Sequence, residues 1–145
     1  FRMPAKQPVL TRIALVVNLF LEGYVGYLAL VNPTSPHVDV FAPGSSSLAI
    51  QATMGMGAAL LGLAAGCFAG LAAGATGGGP ATGAVPLIAM FVWHTAFSYV
   101  AHVFPPAPGA PPVLAIHVVL ALLSLAGFLS AHFARWGGAI PKRKE

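Results

Sequence analysis

Apolar residues fall in four long runs, separated by short segments rich in Pro, Gly and Ser. The first run covers about 9–31 and stops at Asn32-Pro33. The second covers about 48–75, with Ser45, Ser46 and Ser47 before it as N-cap candidates. It ends in the flexible stretch Thr76-Gly77-Gly78-Gly79-Pro80. The third covers about 83–104 and holds Pro86 in its first turn, where proline is tolerated. A stiff Pro-rich loop over 105–112 leads to the fourth, about 113–135, and Trp136 then stands where an interfacial aromatic belongs. Each run exceeds the roughly 20 residues that cross a hydrocarbon core. The pattern predicts an all-α integral membrane protein of one domain over 1–145. Short connections make neighbouring spans antiparallel, giving a four-helix bundle.

Composition strengthens this reading. The chain is 57% hydrophobic and 7% charged, against about 25% charged in soluble domains. Its mean hydropathy is +0.83. Charge position then sets the topology. Arg2, Lys6, Arg12, Arg135, Lys142, Arg143 and Lys144 all lie at the two ends. Both termini are therefore expected on the cytoplasmic, stromal or matrix face, in a bacterial inner membrane or an organelle. The basic ends suit anionic lipid headgroups. The pI near 9.7 does not point to nucleic acid, because no basic stripe with interleaved aromatics exists.

Ala58, Gly62, Gly66, Gly70 and Gly74 recur every four residues along the second span. Residues at that spacing share one helix face. A face without side chains admits close approach of another backbone. It fits a helix contact inside the bundle, an interface to another subunit, or a groove for a flat cofactor or lipid.

Polar residues inside the spans are few. Glu22 lies mid-span, and no Lys or Arg between Arg12 and Arg135 stands at its depth to pair with it. A carboxylate at that depth costs about 2.5–3.5 kcal/mol or more in lipid, so Glu22 must face the bundle or a partner. Thr11, Asn18, Glu22 and Gly26 form a stripe at helical spacing. At about 1.5 Å rise per residue, Glu22 and His94 both lie about 14–15 Å from the outer face, which makes them a pair by depth. His94, Ser98 and His102 form a row on the third span. Gln51 and His117 are shallower, at about 6–8 Å. Together these residues predict a polar column open to the outer face. It reads as an internal hydrogen-bond network, a pocket for a quinone, sterol or lipid-like ligand, a haem or chlorophyll site, or a proton path. Bis-His haem ligation would need facing imidazoles, and His102 with His117 is the pair expected at workable depth.

No catalytic or metal motif is present: no HExxH, no cysteine cluster, no phosphate loop and no GxSxG. His37 and Asp39 share the outer loop and are expected to be solvated there. Cys67 is the only cysteine, so no internal disulfide forms. The sequence opens on Phe1, as expected of a processed or incompletely defined N-terminus. Its first apolar run is too long for a signal peptide.

Span 1 carries Arg12-Ile13-Ala14-Leu15, then Asn18-Leu19-Phe20, then Gly23-Tyr24-Val25-Gly26-Tyr27. In these segments, the Gly-rich second span and the histidine of the third, the chain resembles small DoxX-like membrane proteins. The resemblance implies a four-helix protein of about this size. It also implies association with quinone or redox complexes, since that family includes a small subunit of a quinone-linked oxidoreductase. With a single cysteine, no thiol redox role carries over.

These features lead to a non-catalytic accessory subunit of a larger membrane complex, respiratory or photosynthetic, in contact with other membrane subunits and with lipid or pigment. The alternative is a stand-alone DoxX-like protein that binds or turns over a hydrophobic ligand at Glu22 and His94.

Overall fold

A computed structural model describes residues 6–35, 38, 46–103 and 112–137, without the side chains of Pro80 and 135–137. Among these residues there are four α-helices: α1 (Val9–Val31), α2 (Ser47–Ala75), α3 (Ala84–Val103) and α4 (Val113–Gly137). All four are long and apolar enough to cross a membrane. Among the described residues there is no strand.

Local chemistry sets the ends of these helices. Asn32, at φ −144°, leaves the helical region because it precedes Pro33. Ser46 caps α2 by accepting from Ala49 N–H at 3.2 Å, with Ser45 outside the described residues. Beyond α2 the chain reverses through Gly77 and Gly79, at φ 87° and 84°, a region that side chains other than glycine's seldom enter. The sequence reading started the third span at 83. Instead a 3-10 turn over Pro80–Gly83 precedes α3. His37, Asp39 and the Pro-rich loop over 105–111 lie outside the described residues, as do Arg2, Lys142, Arg143, Lys144 and Glu145.

Helix α1 packs against α2 and α4, and α4 packs against α3. Helices α2 and α3, though consecutive in the chain, touch much less. The apolar core joins Ala14 and Leu15 of α1, Cys67 of α2, and Leu87 and Met90 of α3. Phe20, Tyr24, Phe68, Val92, Tyr99, Leu122 and Phe133 face outward. So large an apolar exterior suits lipid and not water.

The close crossing of α1 and α2 is made by Gly26 and Gly57. A Cβ on Gly57 would stand 2.8 Å from both the Ala29 Cβ and the Gly26 carbonyl oxygen. The glycine row read from the sequence is not that contact. Its members divide. A Cβ on Gly70 would meet Pro86 at 3.2 Å, and one on Gly74 would run into the Gln7 side chain at 2.5 Å. On Gly66 it would make only ordinary contact with Pro86 at 3.7 Å. On Gly62 it would meet nothing within 4 Å, and Ala58 is exposed. The reason is helical phase. The buried face of α2 runs through Thr53, Gly57, Leu60, Ala64 and Cys67, on roughly the opposite side of the helix from the row 58/62/66.

Candidate functional site

The buried face of α1 is Thr11, Ala14, Leu15, Asn18, Glu22, Gly26 and Ala29. The polar stripe of the sequence therefore points inward. Helix α3 contributes His94, and α4 contributes His117 and Ser124. Thr11 seats the near end by donating from Oγ1 to the Gly127 carbonyl at 2.9 Å.

Asn18 sits at the junction of α1, α3 and α4. Its Nδ2 donates to the Ala14 carbonyl at 2.8 Å and to Ser124 Oγ at 3.1 Å. A carbonyl can only accept, so the amide orientation is fixed. Asn18 Oδ1 therefore faces His94 Nε2, at 2.8 Å. That oxygen only accepts, so His94 Nε2 carries the proton. His94 Nδ1 lies 3.0 Å from His117 Nδ1. When His94 is neutral, its Nδ1 offers a lone pair and His117 Nδ1–H donates. The two rings are tilted by 43°, and Phe97 stacks on His117 at 4.7 Å.

Glu22 completes the cluster. Its Oε1 lies 3.3 Å from His94 Nε2 but has no hydrogen-bond partner. The two observations agree, because the single Nε2–H points at Asn18 and Oε1 stands to its side. A buried polar atom left without a partner costs about 1–3 kcal/mol. No Lys or Arg lies between Arg12 and Arg135. Any charge on Glu22 is balanced within the cluster only by an imidazolium on His94 or His117.

Glu22, Asn18, His94 and His117 thus come together, and the other expected members do not. Gln51 and His102 are exposed. Ser98 donates to its own helix, at the His94 carbonyl, 2.7 Å away. The expected facing pair of His102 and His117 does not form; His117 meets His94. Both ring nitrogens of His94 are engaged, so in this arrangement it is not offered to a haem iron. Among the described residues, no three His, Cys, Asp or Glu side chains form a group that could hold a metal ion.

Sequence reasoning missed Ser124, Gly127 and Gln7. The signal for the first two was present. His117, Ala121, Ser124, Gly127 and Ala131 are small or polar residues at helical spacing on one buried face of α4. Gln7 lies before the first apolar run, and its Nε2 donates to the Gly70 carbonyl at 3.3 Å. A second buried atom without a partner is Trp93 Nε1, whose ring packs on Phe97.

No protein-family model, curated protein or solved structure matches the chain.

Proposed function

We propose that the chain is a non-catalytic accessory subunit of a larger membrane complex, respiratory or photosynthetic. In this reading its spans are antiparallel and both termini lie on the cytoplasmic, stromal or matrix face. The order of contacts supports the antiparallel arrangement. Gln7 meets Gly70, while Gly26 meets Gly57. Likewise His94 meets His117, while Leu87 lies beside Gly127.

One observation carries the subunit role. Gly55 and Gly62 have open space where a Cβ would sit. Glycine costs about 1 kcal/mol against alanine in a helix, and no contact among the described residues requires it at either position. A helix of another subunit, or a lipid or pigment, would use that bare backbone. The polar cluster then acts as an internal clamp joining α1, α3 and α4. Gentle-detergent native electrophoresis of wild type and Gly62→Leu tests this role. Wild type should migrate in a large assembly, and the variant should be folded but released. A variant that stays assembled refutes the assignment of this face.

The second reading is a stand-alone DoxX-like protein that binds or turns over a quinone, sterol or lipid. The unpartnered Glu22 Oε1 favours it, because a ligand hydroxyl could donate to that oxygen. Extraction and mass analysis of bound small molecules tests it. Glu22→Gln and His94→Ala should empty the site, and full occupancy in both variants rules the reading out.

A further inference from the structure

A groove of about 520 Å³ lies between the start of α1 and the last turns of α2. Lys6, Gln7 and Arg12 supply its polar side, and Phe68, Leu71 and Gly74 are among its remaining walls. The two cations are exposed. Phe68 lies seven residues before Ala75, the last residue of α2, so the apolar wall runs about 10 Å along that helix. The groove is thus cationic at the helix ends and apolar toward the middle of the spans.

Neither cation is spent within the described residues. The only acid there is Glu22, about 15 Å along α1 from Arg12. Carbonyls at the end of α2 would attract cations, but those of Ala72 and Ala73 already accept from Thr76 Oγ1. The floor is fixed as well. Gln7 is held by its bonds to the Gly70 carbonyl and Thr82 Oγ1, and Gly74 gives it room.

We propose that this groove binds one anionic phospholipid, with its phosphate between Lys6 and Arg12 and an acyl chain along Phe68 and Leu71. The shared chemistry is a phosphate on two cations. The apolar wall selects a lipid over a free anion. This site is independent of the open glycine face and of the Glu22 cluster.

The test uses the full chain in a neutral detergent, titrated with phosphatidylglycerol, phosphatidylcholine or inorganic phosphate, with binding read by native mass spectrometry and thermal shift. Phosphatidylglycerol should bind one per chain and raise the melting temperature; phosphatidylcholine and phosphate should do neither. Lys6→Gln/Arg12→Gln should weaken phosphatidylglycerol binding about 30-fold, the effect of two interfacial cations. Phe68→Ala should weaken it too. Lys142→Gln/Arg143→Gln removes the same charge at the other end of the sequence and should leave binding intact. Equal loss in both double variants, unchanged binding in the first, or a matching shift from phosphate alone would each overturn the site. Circular dichroism checks that all variants keep their helices.

Discussion

Gly57→Ala and Gly62→Ala place the same methyl group on the same helix, yet they should move stability in opposite directions. At 57 the new Cβ would lie 2.8 Å from Ala29 Cβ and 2.8 Å from the Gly26 carbonyl. Carbon contacts settle near 3.5–4.0 Å, so α1 must back away by about 1 Å. One of the obstructing atoms is backbone, which no rotamer change relieves. Overpacking of this kind costs about 1–3 kcal/mol. At 62 the Cβ meets nothing within 4 Å, and alanine's helix preference adds up to about 1 kcal/mol. The helix preference applies at both positions and cancels, so the two variants of the isolated subunit should differ by about 1–3 kcal/mol, the overpacking cost alone. Unfolding in mixed dodecyl maltoside and SDS micelles, followed by circular dichroism, resolves that gap. Equal destabilisation by both variants would mean that the Gly26–Gly57 crossing is not the tight contact between α1 and α2.

Asn18→Ala strips the acceptor from His94 Nε2 and a donor from Ser124 Oγ; it should cost about 1–3 kcal/mol in the same titration. Thr11→Val removes one interhelical hydrogen bond, to the Gly127 carbonyl, and should cost only about 0.6 kcal/mol, the average for such bonds in membranes. Gly127→Ala would bring a methyl to 2.7 Å from Ala14 Cβ; it should separate α4 from α1 and cost about 1–3 kcal/mol, measured as a lower thermal midpoint in detergent.

Much of the helical layout was legible because apolar runs and breakers are local signals. The reading 9–31, 48–75, 83–104 and 113–135 differs from the helices Val9–Val31, Ser47–Ala75, Ala84–Val103 and Val113–Gly137 by at most two residues at any end. Depth was also legible where it could be counted from a helix end, as for Glu22 and His94, now 3.3 Å apart. Stagger was not. His94 lies about 14 Å inside the end of α3, and His117 about 6 Å inside the start of α4, yet their Nδ1 atoms meet at 3.0 Å. The two helix ends are offset, and a loop sequence carries no measure of that offset. Lateral neighbourhood was equally hidden. The regular Gly62–Gly74 spacing drew attention to one face of α2, while the crossing with α1 is made at Gly57, which lies outside that row.

Native mass spectrometry of the chain extracted from its own membrane in a mild detergent bears most directly on the subunit role. The chain alone weighs 14.7 kDa. The account predicts a particle that contains at least one different polypeptide and loses it when Gly62 is replaced by Leu. A particle made only of this chain, as monomer or homodimer, would contradict it.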